Sequence, residues 1–165
     1  FLKRFYQQFK MDVAQDIVKV NFSGINFEDI LADLIKEIEM RNYLITRVSN
    51  IDNILKRRDP SLGKEAKFRY YKIVEFCNLE SCSQLISLNL LVGVFMPVKF
   101  VVYQLIGEDL IQISYLKPTA FSHLFKSNEM TVIAEKLEQD MHDVLAEIDF
   151  WIRKVFLVAE DNDVK

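Results

Sequence analysis

Cys77 and Asn78 stand where a β-rich run, Ile73 to Phe76, gives way to residues that favour helix. A thiol beside a helix N-terminus sits in positive potential, which lowers its pKa and makes it a nucleophile or a metal ligand. Against that, an unpaired cysteine is among the most buried residue types, and a half-buried strand end suits it as filler. The filler reading carries more weight. Cys82 follows five positions later. A disulfide needs Cα atoms within about 7 Å, and a strand end and a helix interior are expected to hold these two further apart. Asn78 reads as a helix cap before it reads as a ligand contact.

Asp52, in the pair Ile51-Asp52, either directs a carboxylate toward Cys77 or caps the turn that begins at Asn53. The two readings balance. Pro97 stands at the start of the next β-rich run and completes the group of ligand or redox candidates: Cys77, Asn78, Asp52 and Pro97. Phe95, Phe100, Tyr103 and Tyr115 are expected to line a groove beneath the helices that takes a small apolar ligand. Aromatic residues on a sheet are more often ordinary core or dimer contact. His123 and His142 are isolated from each other and from the thiols, so no metal set is expected. No Ser-His-acid arrangement or glycine-rich phosphate loop is present, so no catalytic residue and no cofactor is assigned. The run Lys56-Arg57-Arg58 lacks interleaved aromatics and the chain carries a net charge of −3. Nucleic acid is therefore a distant alternative.

These residues must be held by regular elements. The chain has 165 residues, half of them hydrophobic, with only 4 Gly and 3 Pro, which fits one domain of long elements and short loops. Residues 1–13 have helical spacing: Leu2, Phe5, Tyr6, Phe9 and Val13 recur on one face, Lys3, Arg4 and Lys10 on the other. Val18, Val20 and Phe22 alternate with polar residues as a strand does. Asn26 caps a helix with the stripe Phe27, Ile30, Leu31, Leu34, Ile35 and Ile38, closed by Asn42, which tolerates the left-handed conformation. Strands are predicted at 43–48, 68–76, 98–105 and 110–115. Residues 50–67 read as the longest irregular stretch, with one helical turn near Ile51. A short helix turns Cys82, Leu85 and Ile86 inward. In the fourth strand both parities are apolar, which predicts cover on both faces. Pro118 ends the fifth strand, and a long helix runs from Ser127 or Asn128 to about Val158.

The order predicts an α+β two-layer sandwich: a five-stranded antiparallel sheet with two long helices and a short one, plus an extra N-terminal amphipathic helix. Residues 1–16 form the extension, 17–158 the single domain and 159–165 a frayed acidic tail.

From about Asn26 to Phe150 the chain resembles the domain of unknown function 302 family. Ile51-Asp52, Cys77-Asn78, Met96-Pro97 and Lys117-Pro118 occur in that family's order. Leu79 stands where the family has a proline, and Val98 where a second cysteine is common, which removes two-thiol chemistry at that pair. The resemblance implies a fold like that of TATA-binding proteins, often paired as a dimer, and no assigned reaction. Nothing in it implies DNA binding.

The expected function is a non-enzymatic, homodimeric binding or accessory module. The alternative is a redox or small-ligand protein using Cys77. The 1–13 helix, cationic on one face and aromatic on the other, packs on the overlong apolar end of the last helix or lies at a membrane surface. The chain opens on Phe1 rather than methionine, so an anchor upstream is expected to tether it to the bacterial cell envelope.

Overall fold

The computed structural model of the protein describes residues 12–58, 61 and 67–162, with side chains for 12–54, 61 and 67–154. All but the last two residues of the helix expected over 1–13, and the last three residues of the tail, lie outside the described residues. Asp12 caps a single turn, α1 (Val13–Asp16), by accepting the Ala14 N–H at 2.9 Å. Then come β1 (Ile17–Phe22), α2 (Phe27–Met40), β2 (Leu44–Asn50), α3 (Ile51–Arg58) and β3 (Phe68–Cys77). The second half runs α4 (Leu79–Leu88), a 3₁₀ turn Leu90–Val94, β4 (Val98–Leu105) and β5 (Ile111–Leu116). It ends with α5 (Pro118–Ser122), a 3₁₀ turn His123–Phe125 and α6 (Asn128–Asn162).

The five strands form one antiparallel sheet in the order β1-β5-β4-β3-β2. The first and last strands are neighbours, so α2 must carry the chain from one edge of the sheet to the other. That crossing lays α2 over one face, and α6 returns beside it. The expected α+β sandwich is the fold observed.

Local chemistry explains the main helix ends. Asn26 accepts the Asp29 N–H at 2.9 Å and starts α2, with Glu28 and Asp29 in the first turn where the helix dipole favours anions. At its other end Asn42 takes a φ of 60°. Tyr43 N–H then donates to the Ile38 carbonyl and Asn42 N–H to the Glu39 carbonyl, the paired bonds of a Schellman stop. Asn78 starts α4 by accepting the Ser81 N–H at 3.0 Å.

The core lies between the sheet and the two long helices. Phe27, Ile30, Leu34 and Ile38 of α2 are buried against Val74, Phe76, Phe100 and Val102 of the strands. Met130, Leu137, Met141, Val144 and Ile148 of α6 complete it. Each such side chain contributes about 1.5–3 kcal/mol by leaving water. Phe76 stacks on Phe100 at 5.1 Å, and Phe100 meets Tyr115 edge-on at 5.5 Å.

Four expectations need correction. Residues 51–58 form a two-turn helix, so the irregular stretch is shorter than predicted. Pro118 does more than end a strand: it opens α5, where its missing N–H and fixed φ suit a first helical position. Ile86 is 40% exposed rather than turned inward. Finally, α6 runs past the expected end at Val158 to Asn162. At 1.5 Å per residue it is about 52 Å long and overshoots the sheet. Phe150 and Trp151 are exposed there, packed edge-on at 5.7 Å. Among the described residues no helix is long and apolar enough to cross a membrane.

Candidate ligand site on the open face of the sheet

Alternation along the strands sends Val98, Phe100 and Val102 to the helices and Lys99, Val101 and Tyr103 to the opposite face. Neither α2 nor α6 covers that face. The apolar residues on both parities of β4 therefore have two destinations: a packed core on one side and a half-open cavity on the other. Cover on both faces, as predicted, is not what the strand has.

Antiparallel register builds the cavity floor in rows. Lys19 of β1 stands opposite Ser114 of β5, Ser114 opposite Val101 of β4, and Val101 opposite Ile73 of β3. One row over, Gln112 stands opposite Tyr103, and Tyr103 opposite Tyr71. The Tyr71 and Tyr103 rings stack at 5.8 Å with planes 12° apart. On the other side Glu75 lies between Arg47 and Lys99, with Lys99 Nζ 3.9 Å from the carboxylate. Val94 and Phe95 also line the cavity, with Phe95 stacked on Phe121 at 5.1 Å. The cavity measures about 460 Å³, within the range of small-molecule sites.

Its polar equipment is sparse. Gln112 Nε2 donates to Ser114 Oγ at 2.9 Å, which leaves the serine proton to be donated elsewhere. Lys19 lines the cavity and makes no ion pair with any described residue. On a chain of net charge −3 this face is locally cationic, with Lys99 and Arg47 flanking Glu75 and Lys19 at the β1 edge.

The expected groove residues divide between the two faces. Phe95, Tyr103 and Tyr115 border the cavity, which lies on the far face of the sheet and not beneath the helices. Phe100 does not join them. It is fully buried on the helix side, because it shares the parity of Val98 and Val102. Tyr115 borders the cavity from β5 but sends its ring toward Phe100. Burial first, and then the charge of Glu138, push its phenol up to about 12. Tyr43 donates to Asp140 Oδ2 at 2.7 Å, and burial followed by that hydrogen bond raises its phenol as well.

The four ligand or redox candidates do not converge. Cys77 is bonded to Cys82, their Cα atoms 6.6 Å apart, contrary to the expected separation. The Asn78 cap starts α4 so tightly against the strand end that Cys82, in the first turn, comes back over Cys77. Asn78 also donates to the Asn42 carbonyl at 3.3 Å, tying the start of α4 to the end of α2. Asp52 is 3% exposed and ion-paired with Lys72 at 3.0 Å. Lys72 is five residues from Cys77 along an extended strand, about 17 Å, so the Asp52 carboxylate is not directed at the sulfur. Pro97 follows a cis peptide bond and leads into β4.

His142 is exposed beside Asp143, and His123 lies in a 3₁₀ turn. Lys56, Arg57 and Arg58 form the end of α3, and their side chains lie outside the described residues. The residues that sequence reasoning missed are Lys19, Tyr71, Val101 and Ser114. Their alternation is visible, but which strand lies beside which is not, and the site needs β1 next to β5.

Residues 18–148 match the family model described as "Domain of unknown function DUF302". No curated protein matches the chain. The fold is similar to a solved structure titled "Crystal structure of uncharacterized conserved protein DUF302 from Bacillus stearothermophilus". That similarity has a TM-score of 0.68 at 22% identity and covers 80% of this chain and 97% of the other. At that identity the likeness carries the fold alone. The family match runs from β1 to the last buried turn of α6 and takes in most of the molecule, so this chain belongs to the DUF302 family.

Proposed function

We infer that the protein is a non-enzymatic binding module whose site is the cavity on the open face of the sheet. One observation carries this reading. A cavity of about 460 Å³ lies on the sheet face opposite α2 and α6, floored by Val101 and the stacked Tyr71 and Tyr103. Stacked rings and aliphatic side chains supply dispersion and burial for an apolar ligand, and the few polar groups orient it. The test is titration with Nile red, an uncharged dye that brightens on leaving water. Saturable one-to-one binding that is lost in Val101→Trp, in a variant that keeps its unfolding midpoint, is the expected result. Absence of saturable binding in the unaltered protein ends the reading.

A second reading, self-association, rests on the 3₁₀ turn beside the cavity. Leu90, Leu91 and Val94 are 81%, 69% and 80% exposed, and Leu88 adjoins them. Apolar residues clustered in this way favour a contact between copies. Light scattering tests it: a dimer at micromolar concentration is expected, and a monomer there excludes it.

A further inference from the structure

The cavity joins its apolar floor to a cationic rim, and the two together specify a ligand class. Lys19 and Ser114 face each other across β1 and β5, and both line the cavity. Lys19 has no anionic partner among the described residues, whereas Lys99 already has Glu75. Ser114 accepts from Gln112 and keeps a proton to donate. An ammonium and a hydroxyl proton side by side form a pair of donors with no acceptor assigned to them. Val101 lies one strand beyond Ser114, so the backbone of Ser114 is about 5 Å, and that of Lys19 about 10 Å, from that of Val101.

We propose that the cavity binds a small amphiphilic carboxylate: its anionic head accepts from Lys19 Nζ and Ser114 Oγ, and its apolar tail lies over Val101 and against the stacked Tyr71 and Tyr103. The proposal rests on the cavity being the ligand site. The head group is anionic because both donors are unspent and the carboxylate of Glu75 is engaged by Lys99. It is a carboxylate rather than a larger polyanion because one unpaired cation serves it. The tail is short because the cavity holds only about 460 Å³.

The experiment displaces bound Nile red with decanoate and, separately, with decan-1-ol, which shares the chain and lacks the charge. Decanoate is expected to compete about tenfold better or more, because charge-assisted hydrogen bonds are the stronger kind. Lys19→Met keeps most of the stem and removes the ammonium. It is expected to abolish the preference for decanoate and to leave decan-1-ol unchanged. Equal competition by both compounds, or a preference untouched in Lys19→Met, overturns the carboxylate while the cavity reading stands. Failure of Nile red to bind overturns both.

Discussion

The carboxylate of Asp52 and the ammonium of Lys72 meet at 3.0 Å with both side chains less than a tenth exposed. The same carboxylate accepts the Asn53 N–H at 2.8 Å and the strand N–H of Tyr71 at 3.4 Å. It thus takes up a first-turn donor of α3 and a β3 donor beyond the end of β2. Removing one partner of a buried pair leaves an uncompensated charge, at a cost of about 3–5 kcal/mol. Asp52→Ala should lower the unfolding free energy, measured by a urea melt, by that amount. Asp52→Leu combined with Lys72→Met should recover most of it, because the pair is then replaced by apolar volume. A single-variant loss below about 1 kcal/mol is what an exposed pair would give, and it would refute burial.

Asp52 also shows where the sequence is legible. Its bond to the Asn53 N–H is local, but its ion-pair partner lies twenty residues away. The available signal was Lys72 itself, a cation inside the run Tyr70 to Val74 where an apolar residue fits the parity. Helix signals were strong because they are local: Asn26, Asn42 and Asn78 act within a few residues of themselves. The open-face cavity was not readable. It depends on β1 lying beside β5, a pairing separated by about ninety residues and fixed only once α2 crosses the sheet. Phe100 could have been assigned to the core, since Val98 and Val102 share its parity. The disulfide was hidden because a distance along the chain does not show how sharply Asn78 turns it.

Asn78 and Asn42 should contribute separately. Asn78→Ala removes the cap on Ser81 and the bond to the Asn42 carbonyl, and should cost about 1–2 kcal/mol. Asn42 has positive φ, so Asn42→Gly should be neutral or slightly stabilising and Asn42→Ala destabilising by about 1 kcal/mol. Thermal midpoints for the three variants check the order. Equal losses for Gly and Ala would show that φ at this position is not the cause.

The bond between Cys77 and Cys82 closes a short loop, for which chain entropy gives about 2 kcal/mol. The intact protein should be lighter by two hydrogens than its reduced form and should resist iodoacetamide. Reduction should lower the urea midpoint to match Cys77→Ser with Cys82→Ser. Alkylation of both thiols in unreduced, folded protein would show that the bond does not form in solution.

Alkaline stability should fall in a defined window. The Tyr115 phenol ionises at about 10 in an unfolded chain and at about 12 in the fold. Between those values the folded state holds a proton that the unfolded state has lost, so stability decreases as pH rises through the window. Below about pH 10 the contribution is complete. Tyr43, raised by burial and by its bond to Asp140, adds a loss of the same sign. Tyr115→Phe should therefore flatten, without abolishing, the decline in unfolding free energy between about pH 10 and about pH 12. An unchanged slope would mean that Tyr115 is not buried beside Glu138.

Phe100 and Tyr103 lie three residues apart on one strand and face opposite ways, so their variants should separate stability from binding. Phe100 is fully exposed to neither solvent nor cavity and contacts both Phe76 and Tyr115. Phe100→Ala should cost about 3–5 kcal/mol through the void it leaves. Tyr103 is only partly buried and stacks on Tyr71 over the cavity floor. Tyr103→Ala should cost less than half as much in a urea melt, yet weaken Nile red binding several-fold by removing one face of the aromatic floor. If Tyr103→Ala instead destabilises the fold as strongly as Phe100→Ala and leaves dye binding intact, the open face is structural, and the strand has no binding side.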